Sequence, residues 1–187
     1  MYLETVRQVV KNGPFVIIDT ETTALDGEPV EIAVIDQDGK ILLHTLMKPS
    51  APIGADAMAI HHITNEMVAG APSYPDLQER LITLLSAIPV LSYNAVFDRK
   101  MLHNAGDAFQ MKKVNWKELA PWVCVMEAFA EFHGEWNDFR KSYTWKSLSF
   151  AGKHVGIATD GAHGALADCM ITLGVVRFLA VTHKKTW

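Results

Sequence analysis

The sequence predicts an α/β domain with a central mixed sheet flanked by helices, and three observations carry that expectation. Three strand-like runs follow one another near the start, at residues 15–20, 30–36 and 41–47. Between the last two, Asp38-Gly39 is the turn chemistry of a type I′ hairpin, so the opening strands read as antiparallel. Beyond them, apolar residues recur at helical spacing around a further short strand, the pattern that adds parallel strands to a sheet through helical crossovers.

Each element follows from a local signal. Residues 3–10 read as a short leading helix closed by Gly13-Pro14, so residues 1–12 form an N-terminal helical extension. The run 15–20 is almost continuously apolar, which suits the middle of a sheet. Pro49, Pro52 and Gly54 end the third strand, and short helical pieces follow at 55–60 and 64–68, the second with Thr64 as its N-cap. Leu77, Leu81, Leu84, Leu85 and Ile88 make one apolar stripe, which predicts a helix over 74–88. A strand at 90–93 ends on Asn94, whose side chain can cap a helix over 95–104. Helices are expected at 116–130 and 144–153, and a last one from Ala165 ends near Thr182. With no repeat, low-complexity segment or linker, residues 1–187 read as a single αβα-layered domain.

Composition narrows the function classes. Hydrophobic residues at 49% and charged residues at 20% exclude a disordered, collagen-like or coiled-coil chain. No run approaches the roughly 18 apolar residues of a membrane span, and Glu4, Arg7 and Lys11 stand where a signal peptide would be apolar, so the expected place is the cytoplasm. Cys124 and Cys169 are far apart in apolar surroundings and read as buried thiols. A net charge of −4 excludes a protein that coats nucleic acid nonspecifically, but not one whose acids are gathered around metal.

Three separated acidic clusters sit at element ends. Asp19 and Glu21, two residues apart at the end of the first strand, emerge on one face of the sheet. For an isolated pair a solvated strand end is the simpler reading, yet two carboxylates ending a buried strand need compensation, and a hard, oxygen-seeking Mg²⁺ would supply it. Asp98 follows Asn94 at a strand-to-helix junction and, alone, reads as a helix-start acid. His163 precedes Asp168 by five residues, so it meets that acid only from before the helix or at its start, with Gly161 and Gly164 allowing the bend. A lone His in such a turn is usually a capping or surface group; beside four carboxylates it is a base suited to neutral pH.

The order Asp19-Thr20-Glu21, then Asn94 with Phe97-Asp98, then His163 with Asp168, resembles the DEDDh branch of the 3′-to-5′ exonucleases, in the ribonuclease-H-like superfamily. The likeness runs from Phe15 to Leu179, and residues 52–64 and 167–169 resemble the exonuclease X group of that family. It implies a ribonuclease-H-like fold in which Asp19, Glu21, Asp98 and Asp168 hold two divalent ions, Mg²⁺ with Mn²⁺ able to substitute, and His163 is the general base. Two such ions serve both the attack on a phosphodiester and the departure of its 3′ oxygen. It further implies that Thr22, Thr23, Leu25, Ile60 and His61 hold the terminal nucleotide, with Asn94 and Phe97 nearby. The chain departs from the family at Ala24, where members commonly carry Gly, and at His62, where proofreading subunits carry Gly.

The implied activity is metal-dependent hydrolysis from the 3′ end of DNA, single-stranded or frayed ends preferred, releasing nucleoside 5′-monophosphates. The implied partner is a nucleic acid 3′ end, DNA before RNA, and no membrane, taken by a monomer or homodimer. An RNA-trimming exonuclease and a polymerase-associated proofreading or nucleic-acid-binding module are the alternatives. Little chain follows the last helix, so a polymerase-binding tail is not expected. Trp136, Phe139, Arg140, Lys141, Tyr143, Trp145 and Lys146 interleave aromatic and basic groups, which suits either stacking on a single strand or the packing of a peripheral helix. Asp36-Gln37-Asp38 begins like a calcium loop but reads as a turn. Lys184 and Lys185 read as a solvated tail.

Overall fold

The computed structural model describes residues 1–159 and 163–182. The expected turn residues Asp160 and Gly161 and the Lys184-Lys185 tail lie outside the described residues. Five strands, β1 (Val16–Thr22), β2 (Pro29–Asp36), β3 (Ile41–Leu46), β4 (Val90–Ser92) and β5 (Trp122–Cys124), form one sheet in the order β3-β2-β1-β4-β5. β1, β2 and β3 pair antiparallel, while β4 joins β1 and β5 joins β4 in parallel, which is the mixed sheet expected.

Alternation along β1 divides the core. Ile17 faces one side with Ala33, Ile35, Leu91 and Val123, and Val16 and Ile18 face the other with Ile32, Val34 and Val90. The first side is covered by α1 (Tyr2–Asn12), α7 (Val125–His133), α8 (Leu148–His154) and α9 (Ala165–Val181), through Leu3, Val6, Phe129, Ala151 and Leu173. The second is covered by α4 (Tyr74–Leu85), α5 (Ala95–Ala108) and α6 (Trp116–Leu119), through Leu77, Leu81, Leu102 and Trp116. Two short helices, α2 (Ala55–His61) and α3 (Asn65–Val68), close one edge, and a two-stranded hairpin of β6 (Trp136–Asn137) and β7 (Ser142–Tyr143) stands apart from the main sheet. Gly174 lets α9 lie against the loop after α8, since a Cβ there would fall 2.1 Å from Ile157. Among the described residues no helix is long and apolar enough to cross a membrane.

Several expected elements are corrected. The helix expected over 116–130 is two helices split by β5: Pro121 biases the residue before it toward extended backbone, and Ala120 adopts φ −151°, ψ 154°. The expected helix over 144–153 starts only at Leu148, where the Ser147 hydroxyl accepts from Phe150 N–H. The aromatic and basic run before it is the β6–β7 hairpin, not a peripheral helix. The turn after β2 is not type I′, which needs positive φ at both central residues. Here only Gly39 is left-handed, at φ 91°, and the Asp36 carboxylate accepts from Asp38 and Lys40 N–H. Both cysteines are free, and Cys124 is only partly buried.

Candidate active site

The site lies at the C-terminal end of β1, beside the parallel strands β4 and β5, where open α/β sheets bind ligands. Period two sends Asp19 and Glu21 to the same face as Ile17, the face that α9 covers. Asp168 is in the first turn of α9, so it meets them there: one carboxylate oxygen from each of Asp19, Glu21 and Asp168 lies within 4.8 Å of the others. Asp98 comes from α5, on the opposite face. It is 2% exposed and accepts from the Thr20 hydroxyl at 2.8 Å and from the Ser92 hydroxyl. Three of the four expected acids therefore form the tight group, and Asp98 stands beside it, close enough to raise the pKa of Asp19.

The electrostatics follow from this crowding. Burial pushes Asp19 well above its ordinary range, and the charges of Asp98, Asp168, Glu21 and Glu31 push the same way. Glu21 is raised to about 8 by burial and by Asp168, Glu31 and Asp98. Asp98 is raised only to about 6, because the Ser92 and Thr20 hydroxyls favour its ionised form against burial. Asp168 is raised by burial, opposed by the His163 N–H and by the His163 imidazole. Carboxylates this close and this poorly solvated do not all ionise without added positive charge. The all-oxygen donor set suits a hard divalent cation rather than a soft one.

His163 enters this group through its backbone. It is exposed, sits at φ 78°, and its N–H donates to the Asp168 carboxylate at 3.4 Å. That left-handed turn is the bend required to bring it to the head of α9. Sequence reasoning missed Glu31, Thr20 and Ser92. Glu31 faces Glu21 across the β1–β2 ladder, and its carboxylate accepts from Ala165 N–H, the first residue of α9, at 2.9 Å. It also meets His44 Nε2 at 2.7 Å. Gly164 supplies no side-chain cap, so a strand glutamate caps the helix that carries Asp168. The only charge within an otherwise buried apolar run, Val30–Ile35 less Glu31, was the signal that could have marked it.

A cavity of about 720 Å³ opens beside the acids, lined by Thr22, Thr23, Leu25, Ile60, His61 and Phe97 along with Glu21. Leu25 is 85% exposed and Ile60 54%, so two apolar side chains stand free at its rim. Thr22 and Thr23 are occupied in holding the loop after β1: Thr22 donates to the Ala24 carbonyl, and the Thr23 hydroxyl accepts from Glu28 N–H. His61 is buried, its Nδ1 accepting from Ile63 N–H, so its Nε2–H donates to the Thr22 carbonyl at 3.1 Å. It braces the cavity wall with both ring nitrogens engaged. Gly54 brings α2 up to that wall, its N–H donating to the Thr23 carbonyl at 2.9 Å where a Cβ would stand 3.1 Å away. Asn94 does not line this cavity and makes no side-chain cap on α5; it borders a second one. His62 caps α2 at φ 61°, a left-handed position that glycine fills readily, so its departure from the family pattern concerns a helix end and not the cavity lining.

Comparison with known proteins bears on the family and the fold. The model of the exonuclease family (RNase_T) matches residues 16–176. Exonuclease CP81 of Escherichia phage 186, itself uncharacterized, is 40% identical over 172 residues, covering 88% of this chain and 87% of that protein. Exodeoxyribonuclease 10 of Escherichia coli K12 is 31% identical over 166 residues, covering 86% of this chain and 66% of that longer one. Among solved structures, exonuclease X in complex with 5′ overhanging duplex DNA aligns with a TM-score of 0.64 and 29% identity, over 88% of this chain and 90% of that one. The ribonuclease-H-like sheet expected from the motifs is the sheet found.

Proposed function

The chain belongs to the exonuclease family, and from that premise we propose that it is a divalent-metal-dependent exonuclease that removes nucleotides from the 3′ end of DNA as 5′-monophosphates. One observation carries the reading: the acidic group of Asp19, Glu21 and Asp168 reaches, through Glu21, a cavity with a free apolar rim at Leu25 and Ile60. The names of exodeoxyribonuclease 10 and of the DNA-bound exonuclease X favour DNA over RNA.

In this reading Asp19, Glu21 and Asp168, with Asp98 beside them, hold two Mg²⁺ ions, for which Mn²⁺ substitutes. When bound, the ions supply Lewis-acid stabilisation of the phosphate and of the departing 3′ oxygen. The terminal base lies between Leu25 and Ile60, Thr22 and Thr23 shape the floor beneath it, and His61 keeps that floor in place. Phe97 supports the next base, with Asn94 beyond it. His163 takes the proton of the attacking water, and its exposed position at the head of α9 lets it pass that proton to solvent. The whole chain, leading helix included, acts as one domain in the cytoplasm, as a monomer or homodimer.

End-labelled single-stranded DNA and RNA, digested side by side with Mg²⁺ and with EDTA, test this. The 3′ label should leave first, DNA should be cut faster than RNA, EDTA should stop the reaction, and closed circular strands should survive. Rapid cleavage of circular DNA, or earlier release of a 5′ label, would overturn the reading. Faster digestion of RNA would move it to a 3′-trimming ribonuclease.

A further inference from the structure

A second cavity, of about 430 Å³, adjoins the first. Phe97 lines both, so the two share a wall one residue from Asp98. Of the aromatic and basic run that the catalytic reading leaves unused, Trp145 lines this second cavity. In the β6–β7 hairpin the rings of Trp136 and Tyr143 stand edge-on, 5.2 Å apart at 80°. The chain leaving β7 then delivers Trp145 to the cavity wall with 54% of its surface exposed. Trp122 lines the same cavity and is fixed in place, its indole N–H donating to the Trp116 carbonyl at 2.6 Å.

Charge points to the occupant. The Arg99 guanidinium carbon lies over the Trp122 ring, 5.9 Å from its centroid, a cation set over an aromatic face. Among the described residues it makes no ion pair. Arg99 and Lys100 stand against a single acid, Glu127, in the lining of this cavity, although the whole chain carries a net charge of −4. Lys100 is already tied to Asp26 at 2.5 Å, so Arg99 is the free cation of the pair. An exposed indole, a free guanidinium and a shared wall with the catalytic cavity suit a continuous single strand, whose bases stack and whose phosphates need positive charge.

We propose that this cavity binds the unpaired nucleotides on the 5′ side of the scissile phosphate, a base stacking on Trp145 and a backbone phosphate meeting Arg99. The proposal rests on the nuclease reading and adds to it a subsite that favours longer strands. A chain of net charge −4 cannot hold a strand by broad phosphate neutralisation, so a local foothold of this kind adds what the overall charge does not.

The test compares a thymidine dinucleotide, too short to reach past Phe97, with a hexanucleotide under Mg²⁺. In Trp145→Ala and in Arg99→Ala, the ratio of kcat/KM for the long substrate to that for the short one should fall about tenfold, through KM, and Trp145→Phe should restore most of it. An unchanged ratio, or equal losses on both substrates, would overturn the subsite. So would a loss confined to duplex substrates, which would give the cavity to the complementary strand, or a change only in inhibition by mononucleotide, which would give it to product. Anisotropy of a fluorescein-labelled hexathymidylate in EDTA separates the two readings. If the wild type hydrolyses nothing, the nuclease reading fails, while weaker strand binding by both alanine variants still supports the subsite and unchanged binding still refutes it.

Discussion

Asp98 and the group formed by Asp19, Glu21 and Asp168 meet the same problem, a carboxylate short of water, in different ways. Asp98 receives hydroxyl donors from two neighbouring strands, Thr20 on β1 and Ser92 on β4, and its pKa climbs only to about 6. Among the described residues, Asp19 and Glu21 receive no side-chain hydrogen bond at all, and Glu21 is pushed to about 8. The chain compensates Asp98 from within and leaves the other group to be compensated from outside. Asp98 is thus preset in one orientation, whereas the α9-side acids stay frustrated until positive charge arrives.

Removing an acid from the frustrated group should do the most damage. Asp19→Ala should lose roughly 10⁴-fold in kcat, since metal ions contribute several kcal/mol of transition-state stabilisation. Calorimetric titration with Mn²⁺ should show lost binding, and unchanged stoichiometry and affinity would take Asp19 out of the site. His163 sharpens the contrast because it touches only Asp168 among these acids and, in the proposed reading, moves a proton rather than holding metal. His163→Ala should bind Mn²⁺ almost normally while kcat falls about 10³-fold. Activity within threefold of wild type across neutral pH would remove the base role.

What was legible in the sequence and what was not follows the same division. Asp19 and Glu21 could be placed on one face because strand period is local, and Asp168 because it opens a strongly apolar helix. Glu31, Thr20 and Ser92 were invisible because their roles are set by pairing across the sheet and by the approach of α5. The Thr20–Asp98 bond spans 78 residues, and the Glu31–Ala165 bond 134. β5 was lost for a related reason: three residues after Pro121 are too few to show a period, and the flanking helices supply apolar spacing that reads as one continuous helix. The hairpin turn was misjudged because Asp36 holds it with its own carboxylate, which the Asp38-Gly39 pair does not reveal.

The presetting of Asp98 can be tested by taking away its donors. Ser92→Ala and Thr20→Val each leave the carboxylate in place but free to turn. Groups that orient a metal ligand are worth about 10 to 100-fold in metal affinity or activity, and losses of that size are expected in Mn²⁺ titration and in kcat. Ser92→Thr should keep most of both. If Ser92→Ala is indistinguishable from wild type, the hydroxyls only fill space and the contrast with the other acids dissolves.

The smallest expected effect is on the stability of the metal-free protein, and its sign distinguishes the two environments. An acid whose pKa is raised on folding keeps its proton in the native state at pH values where the unfolded chain has released it, so stability is full below the unfolded pKa and falls as pH rises. For Glu21 that window runs from 4.5 to about 8, and for Asp98 from 3.8 to about 6. The metal-free protein should therefore melt at a lower temperature at pH 8 than at pH 5. Glu21→Gln should remove part of the decline between pH 6 and 8, whereas Asp98→Asn should change the slope only below about pH 6 and leave a constant offset above it. Saturating Mg²⁺ should flatten the upper part of the profile, because bound cation stabilises the ionised carboxylates that burial and repulsion otherwise penalise. Calorimetric melting of the wild type and both variants, in EDTA and in Mg²⁺ at a series of pH values, measures all four. A Glu21→Gln protein that keeps the full decline above pH 6 would mean that Glu21 is ionised in the folded chain, no more frustrated than Asp98.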